Sequence, residues 1–311
     1  MKVLVAGATG AIGIPLIKQL IENKHDVIGL ARNDDSARKL QDQGVRAKVA
    51  NALDRRAVNE AVKRCSPEVV INQLTSLPKR YDLAAMQEAS AGDRKLRKKG
   101  GAFLQEAAVA AGVRRYILQS SAFWYEAGEG LADERCGFAV NASPYIAAGA
   151  RFYFELERAA LAVRGPELVM LRYAFLYGPG TWFARDGSVA EDVRASRYPV
   201  VGDGRAVWSW VHVDDAARAA VLALDRNAGI YNIADDNPSR SSTWLPAYAR
   251  WLDAPPPPFI TANLTGDEDS VHSATQLRGA SNAKAKRQLT FQPRPLVWLP
   301  ATANATSGAA D

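Results

Sequence analysis

Gly7, Gly10 and Gly13 recur every third residue, directly after a short apolar run, Val3-Leu4-Val5-Ala6. Beyond them Ile14, Leu16, Ile17, Leu20 and Ile21 fall at helical spacing, so the order is strand, glycine turn, helix. That order makes a phosphate cradle. Gly7 permits the tight turn, Gly10 lets the backbone approach a pyrophosphate, and Gly13 lets helix and strand pack closely. The helix N-terminus then offers free N–H groups and the positive end of its dipole to the anion. Thr9, Ala11 and Ile12 complete the turn and join the glycines as candidate contacts to a dinucleotide.

A second strand, Asp26-Val-Ile-Gly-Leu30, ends where the adenosine ribose of such a cofactor belongs. An acid there binds the ribose hydroxyls and repels a 2′-phosphate; a base does the reverse. The chain continues Ala31-Arg32-Asn33, with no acid until Asp34. Arg32 can grip a phosphate in the bidentate manner of a guanidinium, with Asn33 beside it, so NADP is expected in preference to NAD. Asn51 and Ala52, after a third strand from Val45 to Val49, sit where the adenine edge lies. Gln73-Leu74-Thr75 closes a fourth strand, Glu68-Val-Val-Ile-Asn72, near the pyrophosphate and ribose.

Positioning these residues takes alternating strands and helices. A helix spans Ser36 to Gln43, another follows Asp54 as its cap, and an alanine-rich one runs from Gly101 to Ala111, stopped by Gly112. Arg115-Tyr-Ile-Leu-Gln119 is a fifth strand, a long helix runs from Pro144 to about Val163, and Leu168-Val-Met-Leu-Arg172 is a sixth strand. This rhythm implies a parallel sheet with helices on both faces. The second half is less regular. It has turns at Tyr177-Gly-Pro-Gly180 and Val201-Gly-Asp-Gly204, and a strand from Trp208 to Val213. Asp214 and Asp215 then open a helix to Leu224, Ile230 to Ile233 is a short strand, and Pro255 to Pro258 is a stiff linker. Residues 301–311 are expected to be a disordered tail.

The 311 residues are 48% hydrophobic with net charge +6, enough to bury one large core or two modest ones and suited to an anionic ligand. The one dense basic run, Arg94-Lys95-Leu96-Arg97-Lys98-Lys99, reads as a solvated helix face, and no nucleic-acid motif is visible. Cys65 and Cys136 cannot build a disulfide framework, and with His25 and His272 they show no metal-ligand spacing. No stretch approaches the roughly 18 apolar residues of a membrane span, and no charged leader precedes the first strand. A soluble, cytoplasmic protein is expected, with no metal, nucleic-acid or membrane partner.

Four stretches occur in order: Gly7-x-x-Gly10-x-x-Gly13, Ala110-Ala-Gly-Val-Arg-Arg-Tyr-Ile-Leu-Gln-Ser-Ser121, Leu171-Arg-Tyr-Ala-Phe-Leu-Tyr-Gly-Pro-Gly180 and Val211-His-Val-Asp-Asp215. In them the chain resembles the NAD(P)-dependent epimerase/dehydratase family, the extended or atypical short-chain dehydrogenases/reductases, from Met1 to about Pro293. The resemblance implies an α/β fold, a Rossmann doubly wound parallel sheet with a smaller C-terminal substrate-binding domain. Residues 1–171 with 205–234 would form the nucleotide domain, and 172–204 with 235–300 the substrate region. A homodimer is also implied.

Redox members of that family use a Ser or Thr, a Tyr, and a Lys four residues after the Tyr. Tyrosine ionises near pH 10, so it works as an acid–base near neutrality only beside a cation. The lysine supplies that charge and binds the nicotinamide ribose. Matched residue by residue, Ser121 and Tyr145 are the candidate catalytic pair, with Gln119, Tyr145 and Tyr173 as further cofactor contacts. The lysine position holds Gly149. Residue i+4 shares a helix face with residue i, so the missing side chain is the one beside Tyr145. A lysine placed there is expected to raise any Tyr145-dependent reduction. Three readings stay open: Tyr145 is activated by another residue and the cofactor's charge; Ser121, Tyr125 or Tyr173 carries the chemistry; or the site has no redox activity.

Aromatic residues crowd the strand ends where open α/β sheets bind ligands. Phe123, Trp124, Tyr125, Tyr177 and Trp182 are candidate contacts to a small apolar or aromatic substrate, and Arg172 and Arg185 candidate anchors for an anionic group. The expected function is an NADP-preferring oxidoreductase acting on a carbonyl or enone. The alternatives are an epimerase, isomerase or dehydratase that retains its cofactor, and a cofactor-sensing protein without chemistry.

Overall fold

Short apolar runs, buried on both faces, build the central sheet of the computed structural model, which describes residues 1–261 and 268–299. The expected tail at 301–311 lies outside the described residues. Six strands come first: β1 (Lys2–Ala6), β2 (Asp26–Ala31), β3 (Arg46–Val49), β4 (Val69–Asn72), β5 (Arg115–Ser121) and β6 (Glu167–Tyr173). Then come β7 (Phe175–Tyr177), β8 (Val200–Val201), β9 (Val207–Trp208), β10 (Trp210–His212), β11 (Gly229–Ile233), β12 (Ser239–Arg240) and β13 (Phe259–Ile260). The main sheet has seven parallel strands in the order β11-β6-β5-β4-β1-β2-β3. Strand order reverses beside β1, which is where an open α/β sheet leaves a crevice at its carboxyl ends.

Alternation along each strand divides the core. Val3, Val5, Ile71, Ile117 and Leu171 face Leu16, Ile17 and Leu20 of α1 (Gly13–Glu22) and Leu40 of α2 (Asp34–Gln41). Leu4, Ala6, Val70, Leu118 and Met170 face the other way, toward Val58 and Val62 of α3 (Arg55–Cys65) and other helices.

Two local departures matter for the site. A helix not anticipated from the sequence, α4 (Leu83–Lys95), runs through a π turn at Leu96–Gly100 into α5 (Gly101–Ala110). The wider turn shifts the helical phase, so the basic run is not one solvated face. Lys95, Lys98 and Lys99 are exposed, whereas Arg97 is buried against Asp93, with Nε 2.7 Å from Oδ2. After the long α6 (Pro144–Ala162), the strand expected over Trp208–Val213 breaks at Ser209. There β9 pairs with β12, while β10 pairs with β7.

The remaining helices are α7 (Ser188–Arg194), α8 (Val213–Leu222), α9 (Ser241–Trp251), α10 (Glu268–Thr275) and α11 (Ala283–Leu289). Around α7 and α9 a second core gathers Phe183, Trp208, Trp210, Trp244, Tyr248 and Trp298, forming the smaller unit beside the sheet. Aromatic rings of this size bury 150–250 Å² each, by order of magnitude, so a few suffice for a small core.

Candidate active site

The glycine turn has the shape its spacing requires. Gly7 has φ +83°, and a Cβ there would lie 2.3 Å from the Gln73 carbonyl oxygen; one on Gly13 would lie 2.2 Å from the Gly7 carbonyl oxygen. Neither position admits a side chain. Gly10 and Thr9 stand exposed at the tip, Ala11 is half-buried, and the Ile12 side chain points into the core, leaving only its backbone to the turn. Helices α2, α3 and α4 each carry a capping side chain, from Asn33, Asp54 and Asp82 respectively. The N-terminus of α1 has no capping side chain among the described residues and no acid in its first turn, which leaves its dipole end available to an anion.

Buried polar atoms without partners lie at the ends of β4 and β5. Gln73 is 4% exposed; its Nε2 donates to the Tyr173 hydroxyl at 3.1 Å, while Oε1 has no partner among the described residues. Ser121 is 3% exposed and its Oγ is likewise unpartnered. Native interiors pair such groups, so an acceptor and a hydroxyl left open beside an uncapped helix fit a polar ligand. With the closed glycine turn, they fit a dinucleotide.

Along the adenosine side, Arg32 is exposed just past β2 and has no ion-pair partner among the described residues. Asn33 spends its side-chain oxygen on the Ser36 amide at 3.0 Å, and Asn51 spends its own on the Leu53 amide at 3.0 Å. Ala52 is buried behind it. Leu74 donates its amide to Asn72 Oδ1, Thr75 is half-buried, and Gln119 shares a small crevice with Leu74 and Arg97.

Helix α6 carries Tyr145 at its start. Tyr145 and Ile146 pack in the same apolar cluster as Ala122, the residue after Ser121. The first turn of α6 is held from the second unit: Asp269 Oδ1 accepts the amides of Tyr145 (2.9 Å) and Ile146 (3.2 Å). Burial pushes the Tyr145 phenol above its ordinary range, Arg94 pulls it down and Asp269 pushes it up. At Gly149 the expected vacancy is filled. A Cβ there would fall 2.5 Å from the indole of Trp124, which stacks on Tyr153 at 6.0 Å.

Several sequence expectations are corrected here. Tyr125 does not line the cleft: it is buried, donates to Asn232 Oδ1 at 2.5 Å and accepts from Arg172 at 2.8 Å. Tyr173 is buried too, accepting from Gln73 and donating to the Ala216 carbonyl at 3.2 Å, so it orients Gln73. Arg172 is sealed in an ion pair with Glu157 at 2.6 Å, so it is not an open anion anchor, whereas Arg185 makes a solvent-exposed pair with Asp253 at 3.0 Å. Neither acid is a local neighbour of its arginine in sequence.

Phe123 stacks on Phe175 at 4.5 Å and half-buried Trp182 packs on Tyr81 at 4.9 Å, donating its N–H to the Pro78 carbonyl. Tyr177 is buried between His212 and Trp298, its hydroxyl unpartnered among the described residues and its phenol pushed up by burial. His212 accepts the Asp214 amide through Nδ1 and caps α8. Arg94 and Asp269 were not foreseen. The basic run signals the first only as charge, and nothing local to α6 signals the second.

A family model described as the NAD dependent epimerase/dehydratase family matches residues 3–234. The chain is 43% identical over 304 residues, 96% of its length and 98% of the relative's, to a Streptomyces protein named 3-diazoavenalumate denitrifying reductase. Among solved structures, the UDP-glucose 4-epimerase of Thermotoga maritima with UDP-glucose superposes at TM-score 0.74 and 22% identity, covering 96% of this chain and 95% of that one. The Thermus thermophilus UDP-glucose 4-epimerase with NAD gives 0.71 and 24%, covering 96% of each. These two likenesses concern the fold. The matched model and the Streptomyces reductase reach further, and the chain belongs to the NAD dependent epimerase/dehydratase family of enzymes.

Proposed function

We propose that the protein is an NADP-preferring reductase that delivers hydride to a small aromatic diazo compound with loss of dinitrogen. The observation that carries this reading is the indole of Trp124 lying where residue 149 would project. Reduction of a carbonyl leaves an alkoxide that must be protonated, and a buried tyrosine with no lysine at i+4 is poorly suited to that task. A diazonium group is already cationic. Hydride adds to its terminal nitrogen to give a neutral aryldiazene; the N–H bond then gives up its proton, the carbon–nitrogen bond breaks, dinitrogen leaves, and the ring carbon takes a proton. No strongly basic alkoxide forms. The name of the Streptomyces relative points to the same chemistry.

Gly7, Gly10 and Gly13 would hold the pyrophosphate, Gln73 the adjoining ribose, and Arg32 a 2′-phosphate. The dinucleotide supplies the hydride when bound. Ser121 Oγ, unpartnered at the end of β5, donates a hydrogen bond to the polar end of the substrate. Tyr145 keeps its proton, because burial raises its phenol, and serves as a second donor. Phe123 and Trp124 wall the aromatic ring, and residues 172–204 with 235–300 close the substrate side.

The test mixes the purified protein with NADPH and an ortho-diazophenol, following cofactor oxidation, dinitrogen release and deuterium transfer from deuterated NADPH to the ring. One dinitrogen released per NADPH oxidised is expected, faster with NADPH than with NADH, and ring deuterium below stoichiometric because the diazene N–D bond exchanges with water. Cofactor oxidation no faster than without protein, alongside reduction of simple ketones or enones, would overturn the reading.

A further inference from the structure

One buried guanidinium ties together the two bodies whose contact shapes the aromatic wall of the site. Arg172 belongs to β6 and is 5% exposed. On one side its Nε and Nη2 donate to the two carboxylate oxygens of Glu157, at 2.8 and 2.6 Å. Glu157 lies on α6, the helix that carries Tyr145 and Gly149, and its Oε1 also accepts the Ser120 hydroxyl at 2.6 Å. On the other side Arg172 Nη1 donates to the Tyr125 hydroxyl at 2.8 Å. Tyr125 follows Trp124 directly, and its own proton goes to Asn232 Oδ1 on β11 at 2.5 Å.

The surroundings of the Tyr125 ring reinforce the attachment. The guanidinium stands 4.6 Å over the Phe138 ring and 5.4 Å over that of Tyr125, and the two rings stack at 5.7 Å. The backbone is held as well, since the Trp124 carbonyl accepts the Ala139 amide at 2.8 Å. Tyr125 thus points to Arg172 while its neighbour Trp124 points to Gly149, in the alternation of an extended chain. At Gly149 the tolerance is small: the indole lies 2.5 Å from where a Cβ would stand, and Tyr153 of the same helix stacks on it at 6.0 Å. A loop free to shift would press the indole into α6 or open a gap beside it. Replacing a buried ion pair by packed apolar residues is often neutral for stability, since desolvation offsets the attraction; its directional bonds supply geometry.

We propose that Arg172 and Tyr125 are positioning residues: the guanidinium holds α6 through Glu157 and the Phe123–Trp124 wall through Tyr125, and so sets where that wall meets the substrate's aromatic ring. The inference rests on the reductase reading for the identity of the substrate, whereas the effect on Trp124 is independent of it.

The test is Tyr125→Phe, which removes one hydroxyl and keeps the ring in its stack on Phe138. Arg172 retains Glu157 and the Glu134 carbonyl at 3.2 Å, so the guanidinium is not stranded and the variant folds. Tyr231→Phe is the control, deleting a hydroxyl bonded to the Asn227 carbonyl at 2.8 Å, just ahead of β11. Two quantities are read: the Trp124 indole N–H resonance in isotopically labelled protein, assigned with Trp124→Phe, and the steady-state constants with NADPH and an ortho-diazophenol. In Tyr125→Phe the Trp124 resonance is expected to move or broaden while those of Trp244 and Trp298 stay in place. KM for the diazophenol is expected to rise about threefold to tenfold, the worth of one hydrogen bond, with kcat within about twofold, because the wall binds the ring alike in ground and transition states. In Tyr231→Phe neither quantity changes, whatever its melting temperature. An unmoved Trp124 resonance overturns the proposal, and so does a KM within about twofold of wild type, even if the melting temperature falls. Equal changes in Tyr231→Phe overturn it too, as does a drop in kcat at unchanged KM. A wild type that does not turn over the diazophenol would remove only the assigned reaction, and the resonance would then decide the positioning role alone.

Discussion

The indole of Trp124 occupies the space that any side chain at Gly149 would need: a Cβ on Gly149 falls 2.5 Å from Cη2 and Cζ3 of Trp124. The ring cannot simply swing away, since it lies between Phe123 at 5.0 Å and Tyr153 at 6.0 Å. Glycine at this helix position is therefore a packing requirement as well as a missing cation.

This reverses the expectation that a lysine at 149 would raise Tyr145-dependent reduction. Gly149→Lys is expected to destabilise the fold by about 1–3 kcal/mol, the usual cost of overpacking, and to give no gain in ketone reduction. In a Trp124→Ala background, where the obstacle is gone, the same lysine should cost less than it does in wild type. Urea denaturation of the single and double variants decides it; a single variant as stable as wild type would show that the indole moves freely.

Arg32 is open to solvent just beyond β2 with no acid paired to it. Arg32→Ala is expected to weaken NADPH binding by about tenfold to a hundredfold through loss of a charge-assisted phosphate contact, and to leave NADH nearly unchanged. Calorimetric titration with both cofactors reads the difference. Equal losses for the two would place Arg32 away from the 2′-phosphate.

Ser121 Oγ is buried and has no partner among the described residues, so removing it should not weaken the protein without ligands. Ser121→Ala is expected to keep or slightly raise the melting temperature, because an unsatisfied buried polar group is lost. Turnover should fall by at least about tenfold, as for removal of a single positioned donor. Unchanged turnover would mean that the hydroxyl never meets the substrate.

The Asp235 carboxyl is pushed up to about 7, chiefly by burial, with Oδ2 unpartnered among the described residues. A carboxyl raised in the fold stabilises it fully below its unfolded value near 4 and loses that contribution as pH rises toward 7. Stability is thus expected to decline across that window. Asp235→Asn should flatten the decline and be more stable by about 2 kcal/mol at about pH 8, measured by urea denaturation there and at about pH 5. A variant whose pH dependence matches wild type would assign the decline to other groups.

Asp269 caps α6 from the second unit. Asp269→Ala is expected to cost about 1 kcal/mol, as for a lost N-cap, and to speed hydrogen exchange at the Tyr145 and Ile146 amides ahead of the rest of α6. Uniform exchange along the helix would point to a global effect instead.

The sequence by itself determined the sheet and its nucleotide edge. Gly7, Gly10 and Gly13 between an apolar strand and an amphipathic helix are covalent neighbours, and their conformational demands are local. Five of the six leading strands, all but the edge strand β3, were legible for the same reason, because burial on both faces writes a continuous apolar run into a few consecutive residues. What surrounds the chemistry was decided only by tertiary structure. Tyr125 reads as a cleft residue until Asn232 and Arg172 meet its hydroxyl, and Arg172 reads as an anion anchor until Glu157 closes on it. Arg94 and Arg97 look alike in a basic run, yet one π turn and one aspartate leave the first open and bury the second. Gly149 shows a lysine missing but not the indole lying in its place. Packing partners so far apart in sequence leave no periodicity to read: their contacts exist only once the chain has closed on itself, and complementary shape and charge then fix which groups stay free to act.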